Sequence, residues 1–545
     1  MRAVLIFSPC ANPTYVPLGI ASLSAFIKAN KPDCQLSTID LNIITWNFFI
    51  EREKEFQNCR NFLKGLNGDF FDETQYQSNH TTWEKLIEIH NFYILAAQIY
   101  LEKNIINDDY KSLLDYYAEL ILANNPELIG FSVMYPRQIL TTLALARFIH
   151  SKFSEENNPA KEQGKPIIII GGAMMSTLYS EEILQTCHFV NAVFEGEGEL
   201  GFSMICEKQE FSKIPGLIHR GSTGIIRNKK TDTISLSNIP LPDFSKFDFN
   251  LYLNPEPVIP IVFSRGCKWR KCRFCAHNFS YSGYRRRNTV SFVENLIQLN
   301  KKIGARHFYF ADQYIDAADM KIIAEEILRR DLKIYFQIMG RPMDDYTPEI
   351  LQLLYRAGCR WISWGIESGS QRILDVCLKG TSVETIKRIV IDSHQAGISN
   401  LLMMILGLPT AGEEDFKATL EMLDDLGDAV DTVNFSSFQL FDKTAFASQA
   451  KMLGLKITGR EKIFSNENGS VHTHRLFFKE LASDGTIRPP RKTLEATQWL
   501  QRKLWSGRYQ NYHVLNCEHY LLYAAHQCNI PDKEFPDNFD IKEVI

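Results

Sequence analysis

Two separate stretches of this chain alternate short β-branched apolar runs with helical segments, and that alternation constrains the fold more than any other feature. A strand joined to a parallel neighbour needs a crossover of a dozen or more residues, usually a helix. In the first stretch Ala3–Ser8, Leu36–Asp40, Leu128–Met134 (LIGFSVM), Pro166–Gly172 (PIIIIGG) and Phe189–Phe194 read as strands, and Leu18–Ala29 has helical periodicity. Runs that are apolar at nearly every position suit parallel strands covered on both faces. Residues 1–235 are therefore expected to form an α/β, doubly wound, Rossmann-like domain with its ligand crevice at the carboxyl ends of the strands. The aromatic-rich span 42–125 is too long for a plain loop and reads as a helical insertion.

Residues 214–258 look like a connector, with a hairpin (GLIHRGSTGIIRN) and then a Pro/Asp/Ser-rich linker over 236–257. The second series begins at Val258. Its strand candidates are Val258–Phe263, His307–Ala311, Lys333–Met339, Trp361–Gly365, Asn400–Leu406 and Asp431–Phe438, and the helical segments between them include Ser291–Ile303, Ala317–Arg329, Thr347–Ala357 and Val383–Ala396. Six such strands predict a (β/α)6 partial TIM barrel over 258–450. Over 451–545 the alternation stops. That tail reads as irregular and then helical (Thr493–Leu504, Glu518–Gln527), a mostly helical C-terminal region.

Composition excludes several classes. With 45% apolar and 23% charged residues the chain is neither disordered nor fibrous. Its 60 basic and 64 acidic side chains leave a net charge of −4, so no global basic excess points to duplex nucleic acid or an anionic membrane. No apolar run approaches the ~18 residues of a spanning helix, and the opening MRAVLIFSPC carries only a strand-length apolar run, unlike a signal peptide. The 12 cysteines are too sparse for a disulfide scaffold and most stand singly, which points to a reducing cytoplasm.

Three cysteines are clustered. The segment SRGCKWRKCRFCAHN sets Cys267, Cys272 and Cys275 in a C-x4-C-x2-C run directly after the first barrel strand, at the catalytic face. Three closely spaced thiolates can each bind one iron of a [4Fe–4S] cluster and leave the fourth iron open. A closed zinc site would need a fourth ligand. His277 is the nearest, in a cramped arrangement, and unrelated surface cysteines are the remaining reading.

Strand, three-cysteine loop and barrel together resemble the radical S-adenosylmethionine (SAM) superfamily, whose usual C-x3-C-x2-C spacing is one residue shorter in its first gap. Phe274 keeps the aromatic residue usual before the third cysteine. Further segments resemble the branch with an N-terminal cobalamin-binding-type domain, in the family's order: Tyr284–Asn288 (YRRRN), Phe310–Gln313 (FADQ), Arg341, Trp364–Ser370 (WGIESGS) and Leu406–Glu414 (LGLPTAGEE). The resemblance implies cluster ligation by the three cysteines and SAM contacts from Phe274, Asp312, Arg341, Glu367, Ser368 and Gly407. It also implies cobalamin contacts from Ser132, Gly171, Gly172, Gly196, Glu197 and Gly198, in loops after the N-terminal strands. Gly407 and Pro409 could equally do no more than shape a turn, and Asp312 and Arg341 could be solvated loop charges.

Two motifs mislead. DSHQAG at Asp392–Gly397 fits the D-x-H-x-x-G signature of a cobalt-binding histidine, but it ends a helix feeding barrel strand five. His394 is expected to be an ordinary residue of a helix end. The N-terminal domain has no D-x-H-x-x-G, so bound cobalamin would lack that ligand. GEGELG at Gly196–Gly201 fits G-x-G-x-x-G, yet it follows a late strand, and Glu195, Glu197 and Glu199 would repel a pyrophosphate. It resembles instead the G-E-G-E turn of the cobalamin-type domain, which the branch uses for a bulky ligand. A structural remnant without the cofactor is the other reading.

The basic residues Lys268, Arg270, Lys271, Arg273 and Arg285–Arg287 could attract an anionic substrate or form a solvated rim. Cys10, Cys34, Cys59, Cys187, Cys206, Cys359, Cys377, Cys517 and Cys528 read as small core residues, with Cys10 near the N-terminal crevice. The leading expectation is a cobalamin-dependent radical SAM enzyme that methylates an unactivated carbon of a natural-product, peptide or other small substrate. A flavodoxin or ferredoxin is the expected electron donor. Cyclisation, rearrangement or epimerisation without methyl transfer is the alternative, and a non-enzymatic metal-binding module the third class. A methylthiotransferase is disfavoured, because neither a second cysteine set nor a C-terminal RNA-binding barrel is found. Substrate contacts are expected from the insertion and the C-terminal region.

Overall fold

The computed structural model describes all residues except 154–163, 231–232, 280, 282, 482–516 and 528–545, which places the expected helix Thr493–Leu504 and Cys528 outside the described residues. The N-terminal sheet has seven strands: β1 (Arg2–Phe7), β2 (Gln35–Asp40), β3 (Leu128–Ser132), β4 (Ile167–Gly171), β5 (Ala192–Phe194), β6 (Leu217–Gly221) and β7 (Gly224–Arg227). Their order is β2-β1-β3-β4-β5-β6-β7. The first five pair in parallel and the last two antiparallel. The hairpin read as part of a connector thus extends the sheet.

Strand parity divides the two large cores. Ala3, Leu5 and Phe7 join the core shared with the helix Leu18–Asn30 and the helical layer of the barrel, whereas Val4 and Ile6 face the insertion. A strand sends successive side chains to opposite faces, so an unbroken apolar run serves both. The insertion is helical, at Leu41–Ile50, Lys54–Leu63, Glu73–Lys103 and Asp108–Leu122. The buried Asp40 caps its first helix, accepting from the Ile43 amide at 3.1 Å and from the Tyr252 hydroxyl at 2.7 Å.

The second sheet has six parallel strands, at Val258–Ile261, His307–Phe310, Tyr335–Gly340, Cys359–Glu367, Ser399–Leu406 and Thr432–Ser437, paired in chain order. It curves into a partial barrel with its helices outside, so every strand-to-helix loop lies at one rim. Phe336, Ile338, Ile362 and Trp364 pack outward into the helices, while Trp361 faces inward.

The C-terminal helix Cys517–Gln527 packs on that inner face, with Tyr520 stacked on Trp361 at 4.8 Å between ring centroids. It also reaches the other parts of the chain. His519 bonds the Leu253 carbonyl at 2.7 Å and the Tyr76 hydroxyl at 2.9 Å, and Glu518 accepts from Thr14 at 3.1 Å. Between barrel and helix stands a long antiparallel hairpin, Leu455–Asn466 with Gly469–Glu480, in the part of the tail read as irregular. Its strands mix buried, half-buried and exposed positions and interrupt their apolar residues with Gly, Ser, Thr, His and charged residues, so no long apolar run marks them. Phe464 and Val471 are its fully buried anchors. Among the described residues no helix is long and apolar enough to cross a membrane.

Burial raises the Glu518 carboxyl from 4.5 to about 7. The folded state therefore holds this proton more tightly than the unfolded chain, and the stability it lends is complete below about pH 4.5 and lost as the pH rises through 7. Glu518→Gln keeps the acceptor for Thr14 without the buried charge. Thermal denaturation should show the variant several degrees more stable than wild type at pH 8 (on the order of 2–3 kcal/mol) and nearly equal at pH 5.

Candidate functional site

The first barrel strand runs into Phe263–Arg265 and then the cysteine loop, and its end is fixed by Asp312 from the end of the second strand. The Asp312 carboxylate accepts from the Phe263 amide at 3.0 Å, the Ser264 amide at 2.5 Å and the Ser264 hydroxyl at 2.6 Å. Burial raises its carboxyl to about 6, against these bonds. Ser264–Arg265 pairs antiparallel with Arg285–Arg286. Gly266 follows at φ +83°, where a Cβ would lie 2.4 Å from the Gly283 carbonyl oxygen, so only glycine lets the chain turn there.

Trp269 and Arg270 lie in the first gap of the cysteine run. Arg270 adopts φ +52°. The Trp269 indole donates to the Leu378 carbonyl at 2.9 Å and covers Gly380, where a Cβ would stand 2.3 Å from the ring. The Arg341 guanidinium lies on the same ring at 4.0 Å from its centroid. Lys268 pairs with Asp316 at 2.7 Å, and the Arg273 amide donates to the Cys377 carbonyl at 3.0 Å, closing the far end. Much of the basic rim is thus engaged within the protein.

Cys267, Cys272 and Cys275 are free and half-buried, close enough to influence one another electrostatically. Burial raises the Cys272 thiol and pushes Cys275 to about 11, opposed by Lys379 and, at Cys272, by Arg341. Metal binding would take these thiols as thiolates and release their protons. Among the described residues no three His, Cys, Asp or Glu side chains converge on a single-ion site. A cluster that gives each cysteine its own iron does not need them to. His277 reaches Cys275 through its backbone amide.

The cysteine loop and the ends of the second to fifth strands supply the other candidates. Arg341 donates to the Lys379 carbonyl and, at 3.4 Å, to that of Gly380, while its buried Nε has no partner. The buried Oε1 of Gln313, in the FADQ segment, is likewise unpartnered. Glu367 sits at φ +72°, a conformation costly for a residue with a side chain, and pairs with Lys379 at 2.6 Å, both groups buried. The Ser368 hydroxyl accepts from the Ser370 amide at 3.1 Å. Gly407, at φ +73°, is exposed, and a Cβ there would meet nothing within 4 Å. Phe274 packs against a small core that includes Ile373, Cys377 and Leu408. Lys379 and Trp269 had escaped the sequence reading, since a buried lysine and a loop tryptophan carry no spacing signal.

At the carboxyl edge of the N-terminal sheet, the loops after β3, β4 and β5 lie side by side. The Val133 amide donates to Gly171 at 2.8 Å and the Met174 amide to Val133 at 3.1 Å. Gly172, at φ +104°, owes its identity to packing, since a Cβ would stand 2.3 Å from the Val133 carbonyl oxygen. The half-buried Ser132 lies against Gly19, and Gly171 lies against Phe194. Gly196 and Gly198 are half-buried and flank Glu197, whose carboxylate pairs with Arg265 at 2.7 Å and with Arg285. Glu195 is bound by Ser180 at 2.8 Å and Arg227 at 2.6 Å. His394 lies in the last turn of the helix Val383–Gln395, the helix-end position expected of it, and its carbonyl receives the Gly397 amide at 2.8 Å.

Residues 261–423 match the family model of the radical SAM superfamily. An uncharacterized methyltransferase of Pyrococcus horikoshii is 24% identical over 318 residues, which are 56% of this chain and 65% of that protein, just under two thirds of its length. The structure of the radical S-adenosylmethionine methyltransferase TsrM of Kitasatospora setae, with cobalamin and a [4Fe–4S] cluster bound, is similar at a TM-score of 0.58 and 17% identity, covering 86% of this chain and 82% of that one. That of the cobalamin-dependent S-adenosylmethionine radical enzyme OxsB, with aqua-cobalamin and S-adenosylmethionine bound, gives a TM-score of 0.63 at 15% identity over 97% of this chain and 71% of the other. At such identities the likeness to the solved structures is one of fold.

Trp269 bears on both the cysteine loop and Arg341, so its removal should loosen the loop without unfolding the barrel. Trp269→Ala is expected to speed alkylation of Cys267 and Cys272 in the metal-free protein several-fold. Peptide mass mapping would read this against the buried Cys359 as an internal control.

Proposed function

We propose that this chain, whose residues 261–423 match the radical SAM family model, is a cobalamin-dependent radical SAM methyltransferase acting at an unactivated carbon of a small or peptide substrate. The observation that carries the reading is the junction of two sites. The three half-buried thiols follow the first barrel strand, and the N-terminal turn 195–199 meets that same segment.

The residues fit the groups the family uses. Cys267, Cys272 and Cys275 would hold the cluster, with Lys379 and Arg341 beside them to favour thiolate. The unpartnered Arg341 Nε and Gln313 Oε1 are a donor and an acceptor left open at the rim, suited to the polar ends of SAM. Ser368 and Gly407 lie at that rim too. The crevice edge lined by Ser132, Gly171 and Gly196–Gly198 would hold cobalamin, with Asp312 serving the site by fixing the first strand's end. When bound, these groups would supply a 5′-deoxyadenosyl radical from SAM and a transferable methyl group. The chain's share is to hold the substrate carbon close to both and to exclude water.

The products test this directly. Anaerobically reconstituted protein given SAM, hydroxocobalamin and dithionite should form 5′-deoxyadenosine, and alanine at any of the three cysteines should abolish it. With no substrate to take up the methyl group, S-adenosylhomocysteine should form only when hydroxocobalamin is supplied, and in amounts limited by the cobalamin that accepts the methyl. Deoxyadenosine without S-adenosylhomocysteine would overturn the methyltransferase reading in favour of rearrangement. Neither product would overturn both.

A further inference from the structure

The turn 195–199 resembles a ligand-holding loop, yet two of its carboxylates face the barrel. Arg265 extends Nη1 to Glu197 at 2.7 Å and Nη2 to Glu199 at 2.5 Å, and Arg285 takes the second oxygen of Glu197. Side-chain exposure is only 11% for Arg265, 14% for Glu197 and 6% for Glu199, so the four charges neutralise one another largely out of water. Both arginines belong to the two-strand ribbon at the base of the cysteine loop, and Arg265 stands two residues before Cys267. On the other side Glu199 begins the helix Glu199–Cys206, which packs so tightly on β5 that a Cβ at Gly201 would strike Phe194 at 2.3 Å. The cysteine loop is therefore braced twice, from the barrel by Asp312 and from the N-terminal domain by these carboxylates.

We propose that Arg265 is a positioning residue that sets the placement of the cysteine loop through Glu197 and Glu199, so that a change in the N-terminal turn is felt at the cluster. This rests on reading Cys267, Cys272 and Cys275 as cluster ligands. The guanidinium fork is what the role requires, since it reaches two separate carboxylates in fixed directions where an ammonium is a single point charge. Without its counter-ions Arg265 would be a buried unpaired charge, and the ribbon would shift to hydrate it.

The test is a double variant, Glu197→Gln with Glu199→Gln, reconstituted anaerobically with iron and sulfide beside wild type. It should hold wild-type iron, yet the electron paramagnetic resonance signal of its dithionite-reduced cluster with SAM should shift. Formation of 5′-deoxyadenosine should fall at least tenfold at unchanged KM for SAM. Arg265→Lys should give an intermediate signal and rate, and Glu199→Gln alone serves should the double variant not fold. A wild-type signal and rate in the carboxylate variants would overturn the proposal, as would loss of iron in proportion to activity, which marks a merely structural brace. Wild-type protein that assembles no cluster would instead overturn the reading of the cysteines.

Discussion

A parallel sheet gathers at one edge every loop that follows a strand, and this chain is built from two such sheets. Loops after β1 and β3–β5 collect at the edge of the first, and those after the six barrel strands collect at the rim of the second. Where the two edges meet, Glu197 and Glu199 answer Arg265 and Arg285. The remaining arrangement follows from that meeting. The C-terminal helix lies against the barrel's inner face, tied to Thr14, Tyr76 and Leu253, so it joins the N-terminal loop, the insertion and the linker in one place.

Such a site is not built for stability. Glu367 with Lys379, and Arg265 with its two carboxylates, take charges largely out of water, which returns little net stability even when geometry is good. Glu367 adds backbone strain, and Arg341 and Gln313 each leave a buried polar atom unpartnered. These departures gather at the barrel rim around the cysteine loop. Strain and open hydrogen-bonding capacity beside the cysteine loop suit a preorganised ligand site, and other buried unpartnered groups, such as those of His90 and Gln337, lie away from it.

Much of this was legible in the sequence because periodicity records burial. The near-continuous apolar runs LIGFS and IIIIG marked strands covered on both faces, and the helical insertion declared itself by length. The hairpin Leu455–Glu480 did not, because its buried, half-buried and exposed positions follow no regular alternation of apolar and polar residues. At the site, cysteine spacing located the loop, but spacing says nothing of what holds it. Trp269 and Lys379 act across more than a hundred residues and twelve residues respectively, contacts that only folding creates. Glu197 shows the converse: its motif marked the turn as special, while its partner Arg265 turned out to lie in the other domain.

The central claim is that one chain holds an iron–sulfur cluster and a corrinoid at adjoining sites. Its most direct test is the elemental content of protein purified anaerobically with hydroxocobalamin supplied. The account predicts about four irons, four sulfides and one cobalt per chain, with all the iron lost when Cys267, Cys272 and Cys275 are replaced together. One zinc per chain with no iron would contradict it at the cluster, and iron without cobalt would contradict it at the N-terminal crevice.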